Sequence, residues 1–175
     1  MPTTKTGFNS ARILLAENNE SNRKVTSLML KRLGYRADAV TNGKEVLLAL
    51  KHQPYDIILM NLRMPEVDGF EATRMIRERC PETVQPTIIA LTAYILPNSK
   101  ERCLEAGMND FMAKPVKMDD LAAMLSKHAR ILELQAAFTQ FQEEAFCNRG
   151  PFPKNGLPKN GQPIFPFDQD HSLKN

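Results

Sequence analysis

A chain of 175 residues has room for one ordinary core and a modest extension, not for two full domains. Hydrophobic residues make up 42% and charged residues 25%, close to the soluble globular average, which excludes wholesale disorder. The net charge of +3 is mild and no Lys/Arg block forms an arm, so no nucleic acid is expected as partner. No apolar run approaches the roughly 20 residues a membrane-spanning helix needs. Met1 to Ser10 has no apolar stretch after Lys5, so neither membrane nor secretion is expected, and the location read from the sequence is cytoplasmic. Cys80, Cys103 and Cys147 are odd in number and scattered, which argues for free thiols rather than a disulfide framework or a zinc site.

Along the chain, short β-branched or apolar runs alternate with helix-period segments. The runs are Arg12–Ala16, Arg36–Thr41, Asp56–Asn61, Thr87–Leu91 and Asn109–Ala113. The helical segments are Ser21–Leu33, Gly43–His52, Gly69–Cys80 and Asn98–Ala106, with a further helix starting near Lys117. Gly34 and Gly107 stand where helix C-terminal glycines belong, Pro81 stops a helix, and Asp68 and Asn98 suit N-caps. Ile57-Ile58-Leu59-Met60 and Ile88-Ile89-Ala90-Leu91 are apolar without alternation, as strands covered on both faces should be. Five β/α repeats predict an α/β fold, a doubly wound parallel sheet with helices on both faces.

Within Ser21–Leu33, Met29, Leu30 and Leu33 share the side expected to face the sheet, while Leu28 points away and Val25 sits at the edge. In the last helix Leu121 and Leu125 suit the core. After Arg130 a new stripe begins, Ile131, Leu134, Phe138, Phe141 and Ala145, with spacings of three and four. It suits either a seam with a second copy or a helix folded back onto its own domain. From Asn148 onward the chain carries five of the 12 prolines and three of the eight glycines. That segment is expected to be a disordered tail, with Phe152, Ile164, Phe165 and Phe167 as short docking points. The expected organisation is an N-terminal tail over 1–11, a domain over 12–128, a helical extension over 129–147 and the tail over 148–175.

Ligands of open α/β sheets bind beyond the carboxyl ends of the strands. Those ends carry Glu17, Asn18 and Asn19 after the first strand, and Asn61 with Leu62 to Gly69 after the third. Thr92-Ala93 follows the fourth strand and Lys114-Pro115 the fifth. Acid, amide, hydroxyl and ammonium groups should therefore converge on one spot.

These residues carry a resemblance. Ile13-Leu14-Leu15-Ala16-Glu17, the run Asn19-x-x-Asn22-Arg23-Lys24-Val25, Met60-x-x-x-Met64-Pro65-x-x-Asp68-Gly69, Leu91-Thr92-Ala93 and Met112-Ala113-Lys114-Pro115 together resemble a receiver domain of the response-regulator family, the phosphoacceptor module of two-component signalling. The wording Asn22-Arg23-Lys24-Val25 is most similar to receivers of hybrid histidine kinases. The resemblance implies a flavodoxin-like sheet of strand order 2-1-3-4-5. It also implies an Asp at the end of the third strand that attacks a phosphohistidine, and an acidic pair after the first strand that holds Mg²⁺ with that Asp. Lys114 and Thr92 match the phosphate-contacting positions, Phe111 the aromatic switch position, and Glu17 the first acid.

Two departures stand out: the phosphoacceptor position is Asn61 and the second acid is Asn18. A neutral carboxamide is a poor nucleophile and gives no acyl phosphate. Mg²⁺ wants hard, preferably anionic oxygens, and with only Glu17 left, facing Lys114, an ion pair is expected to fill the site. The metal positions Glu17, Asn18 and Asn61 should then bind Mg²⁺ weakly, with no cofactor required. The expectation is a pseudo-receiver, a non-enzymatic module that signals by binding. The alternative is a phosphoacceptor working through Asp56, Asp68 or a deamidated Asn61, the last slowed by the bulky Leu62. Expected partners are a histidine kinase, a histidine phosphotransfer domain or another receiver, meeting Val25, Leu28 and Pro115. A homodimer through Ile131, Leu134, Phe138 and Phe141 is a further expectation. His52, His128 and His171 share no metal-ligand spacing and are assigned to the surface.

Overall fold

The computed structural model describes residues 11–81, 85–93 and 99–147, with residues 99 and 141–147 as backbone only. The chain order is β1 (Arg12–Ala16), α1 (Glu20–Arg32), β2 (Arg36–Val40), α2 (Gly43–His52), β3 (Ile57–Asn61), α3 (Gly69–Arg79), β4 (Thr87–Thr92), α4 (Ser99–Glu105), β5 (Asp110–Ala113) and α5 (Met118–Cys147). The five strands are parallel in the order β2-β1-β3-β4-β5, which puts the reversal of strand order between β1 and β3.

Alternation along the central strands divides the interior into two layers. Leu14, Ala16, Ile58, Met60, Ile88 and Ala90 point to one side and meet Val46 of α2, Ala72 and Ile76 of α3 and Cys103 of α4. Ile13, Leu15, Ile57, Leu59, Ile89 and Leu91 point to the other and meet Leu30 of α1 and Leu121 and Leu125 of α5. β2, at the sheet edge, keeps Arg36, Asp38 and Ala39 exposed. This is the doubly wound sheet expected from the alternating pattern, in the order the resemblance implied.

Local chemistry sets the element ends. Asn19, Asn42 and Asp68 cap α1, α2 and α3, their side-chain oxygens accepting from the N–H groups of Asn22, Glu45 and Glu71 at 3.0, 2.8 and 2.8 Å. Asn19 starts α1 one residue before the expected Ser21. Gly34 and Gly107 take φ values of 84° and 92°, the left-handed turn that ends α1 and α4. Asn98, expected as a cap, lies outside the described residues, as does the segment 148–175 with its four docking residues and His171.

At the end of the sheet away from the site, Arg77 ties α3 to the turns beside β4 and β5. It donates to the carbonyls of Gly107 (2.8 Å) and Pro86 (2.9 Å) and to Asn109 Oδ1 (2.8 Å). Asn109 thereby leaves β5, which starts one residue later than expected, and its Oδ1 also accepts from the Ile88 N–H.

The assignment of His128 to the surface is overturned. Its residue is 5% exposed, and Nε2 lies 3.2 Å from Asp110 Oδ2. It follows Leu121 and Leu125 at helical spacing, so it falls on the inner face of α5. His52 is exposed, as expected. Ala129 is buried and Leu132 packs against the α1/α5 layer, so α5 keeps touching the core for a turn beyond residue 128. By internal contacts the chain divides into Met1–Ala136 and Ala137–Asn175. Among the described residues, no helix is long and apolar enough to cross a membrane. Cys80 and Cys103 are free thiols.

Candidate functional site at the carboxyl ends of the strands

The carboxyl ends of β1, β3, β4 and β5 bring together the residues expected there. Glu17 follows β1 and is 1% exposed. Its Oε2 is paired with Lys114 Nζ, reaching across from the end of β5. Its Oε1 accepts from the Asn19 N–H at 2.9 Å and from Asn61 Nδ2 at 3.2 Å. The ion pair expected from the sequence is thus formed, with both partners largely out of water. Lys114 is positioned by its own N–H, which donates to Thr92 O at 2.7 Å and ties the ends of β4 and β5.

Asn61 ends β3 and is buried. Its Nδ2 also lies 2.7 Å from Asn18 Oδ1 and 3.0 Å from the backbone carbonyl of Arg63. Two of its three neighbours, the Glu17 carboxylate and the Arg63 carbonyl, can only accept hydrogen bonds, which fixes the amide with its N–H groups inward.

The segment after β3 wraps this centre. The Gly69 N–H donates to Leu62 O at 3.0 Å and the Gly43 N–H to Val67 O at 3.0 Å. Glu66 adopts φ 65°, a left-handed conformation that costs a non-glycine residue energy and turns this loop back towards α2. A Cβ on Gly69 would lie 2.4 Å from Asn61 O, so only glycine lets α3 start so close to the strand end.

Beside the buried pair opens a cleft of about 850 Å³ whose walls include Asn18, Asn61, Arg63, Asp68, Thr92 and Arg102. Asp68 is exposed there while capping α3. Asp56 lies at the opposite end of β3, its Oδ2 accepting from the Arg12 N–H at 2.7 Å. It does not share the site with Asn61. Phe111 is half-buried on β5 against the α2–α4 layer. Val25 and Leu28 of α1 are 51% and 62% exposed, and Pro115, after a cis peptide bond, is exposed at the end of β5.

Three contributors have roles that the sequence did not assign, Arg23 among them although it belongs to the Asn22-Arg23-Lys24-Val25 run. Arg23 donates to the carbonyls of Glu17 (2.9 Å) and Asn18 (3.3 Å) and so holds the loop after β1. The carbonyl of Arg63 leaves no trace in residue type. Arg102 sits over the Phe70 ring at 5.2 Å, at the rim of the cleft. Among the described residues no group of three or more His, Cys, Asp or Glu side chains is placed to hold a metal ion.

Residues 13–126 match the model of the response regulator receiver domain family. The chain is 44% identical over 128 residues to hybrid signal transduction histidine kinase B of Dictyostelium discoideum, a match covering 67% of this chain and 6% of that kinase. The chain therefore spans a small fraction of such relatives' length. Among solved structures, the receiver domain of a Pseudomonas aeruginosa sensor histidine kinase, with a magnesium ion coordinated in its active-site cleft, is 43% identical. It superposes with a TM-score of 0.62, covering 68% of this chain and 97% of that one. The receiver domain of a Saccharomyces cerevisiae response regulator, crystallised with a histidine phosphotransfer signalling protein, is 25% identical with a TM-score of 0.66, covering 71% and 92%. A parallel sheet in the order 2-1-3-4-5, its strand-end constellation and the match over two thirds of its length agree: the chain belongs to the response regulator receiver domain family of two-component signalling.

Proposed function

We propose that this receiver is not phosphorylated at Asn61 and acts by binding protein partners, as a signalling module and not an enzyme. One observation carries the reading: at the end of β3 stands a carboxamide whose nitrogen is hydrogen-bonded to Glu17, Asn18 and the Arg63 carbonyl. An amide so placed offers no carboxylate oxygen for attack on phosphorus and yields no acyl phosphate. Glu17 is already neutralised by Lys114. The donor set, one paired carboxylate and inward N–H groups, does not fit a hard divalent cation, so no Mg²⁺ is required.

The binding surface proposed is α1, where Val25 and Leu28 are exposed one turn apart beside the site, together with Pro115. A histidine phosphotransfer protein, a histidine kinase or another receiver is the proposed partner. The phosphotransfer protein crystallised with the related yeast receiver supports the first. The exposed Ile131 and Leu134 on α5, continued at the same spacing by Phe138 and Phe141, are proposed as a second surface, for another copy of this chain. The side chain of Phe141 lies outside the described residues.

A second reading is favoured by Asp68, an exposed carboxylate in the same cleft as Asn61. Intact mass after incubation with Mg²⁺ and acetyl phosphate separates the two, run beside Asn61→Asp. No adduct on the natural chain is the expected result. A phosphate mapped to Asp68, or to an Asn61 found deamidated, overturns the binding-only reading.

A further inference from the structure

We propose that the Asn61 carboxamide itself fills the cation position of this site, and that this occupation, more than the shortage of carboxylates, makes the receiver metal-independent. Three oxygens, two from the loop after β1 and one from the loop after β3, surround one atom. Glu17 Oε1, Asn18 Oδ1 and Arg63 O lie 3.2, 2.7 and 3.0 Å from Asn61 Nδ2. A convergence of carboxylate, amide and backbone oxygens is the kind of cage a hard cation takes. Here the point of convergence is a nitrogen carrying two hydrogens. Rotating the amide would set its oxygen against the acceptor-only Glu17 and Arg63 oxygens, so the N–H groups stay inward. The remaining Glu17 oxygen is held by Lys114, so the cage is satisfied on both sides by groups of the chain.

Charge and occupation make different predictions. Asn18→Asp and Asn61→Asp each add one negative charge to the same small cluster, and a site limited by charge alone would treat them alike. If the amide is the obstacle, Asn18→Asp leaves it in place and only Asn61→Asp removes it while supplying an oxygen ligand. The inference rests on reading Asn61 as a lost phosphoacceptor, but it fails separately. Metal uptake by the natural chain overturns occupation whatever its intact mass shows, and a phosphate adduct overturns the function whatever the titration shows.

The experiment is calorimetric titration of the full chain and of both variants with MnCl₂ and MgCl₂, after thermal melts show that each protein is folded. The natural chain and Asn18→Asp should give no saturable binding, and Asn61→Asp should bind at least about tenfold more tightly than Asn18→Asp. Equal affinity of the two variants, or saturable binding by the natural chain, overturns the proposal. Should Asn61→Asp not fold, Asn61→Ser decides, since it withdraws the amide without adding charge. Gained Mn²⁺ binding supports occupation and no gain overturns it.

Discussion

At Asn61 the side chain is fixed by what surrounds it, and the backbone is fixed by what is missing at Gly69. A methyl group there would stand 2.4 Å from Asn61 O and 3.0 Å from Leu62 Cα, both backbone atoms that cannot swing aside. Gly69→Ala must therefore push α3 off the strand end, an overpacking that costs about 1–3 kcal/mol. Urea unfolding should show that loss, and stability equal to the parent would contradict the close approach. The Glu17–Lys114 pair was legible in the sequence because both residues follow strands that end on one edge of the sheet. The inward turn of the Asn61 amide was not, because it depends on the Arg63 carbonyl, a backbone atom that residue types do not announce. His128 was misread for a related reason. Without a metal-ligand pattern it looked like a surface residue, yet its spacing from Leu121 and Leu125 already put it on the buried face of α5.

Between elements, β5 and α5 are joined by a small charged cluster. Asp110 Oδ2 accepts from Lys127 Nζ at 2.6 Å and lies 3.2 Å from His128 Nε2, and its Oδ1 accepts from the Phe111 N–H at 2.9 Å. Burial pushes the Asp110 carboxyl up. Lys127, the Phe111 N–H and His128 together outweigh it and hold the group below its ordinary value of 3.8. A carboxyl depressed in the folded state adds stability that is present above the unfolded pKa and is lost as pH falls through the folded one. Asp110→Asn should therefore lower the melting temperature at neutral pH, and the gap from the parent should close as the pH falls below the ordinary carboxylate range. A gap that persists unchanged in acid would assign the effect to packing instead. The elements were largely readable because the strands are short apolar runs and Asp68, Gly34 and Gly107 punctuate the helices. Their ends moved by a residue where a side chain took over a backbone role, as Asn19 does for α1 and Asn109 at the entry to β5.

For the molecule as a whole, a receiver that signals by contact needs surfaces that the core does not use, and among the described residues α1 and α5 each carry exposed apolar side chains. On α1, Leu30 is buried while Leu28 and Val25 face outward. On α5, Ile131 and Leu134 are 39% and 70% exposed on either side of Leu132, which still packs inward. The tail after Asn148 could be read only as composition, since no periodicity there ties residues to a face. The stripe on α5 has a period near 3.5, which suits a seam with an identical helix, but from Ile131 to Ala145 it spans little more than two heptads. So short a seam gives weak association, because coiled coils of that length hardly outweigh the entropy of pairing. Sedimentation of the full chain should show self-association only at high concentration. Leu134→Glu, which sets a charge on the seam, should abolish it, while Leu28→Glu should leave it untouched and leave the unfolding free energy within about 0.5 kcal/mol of the parent. Titrated with a purified histidine phosphotransfer protein, the two variants should exchange roles, Leu28→Glu weakening the complex and Leu134→Glu sparing it. If Leu28→Glu abolishes self-association instead, α1 is the face between copies and the assignment of the two surfaces is reversed. Unfolding of Leu28→Glu would place Leu28 in the core, against its exposure.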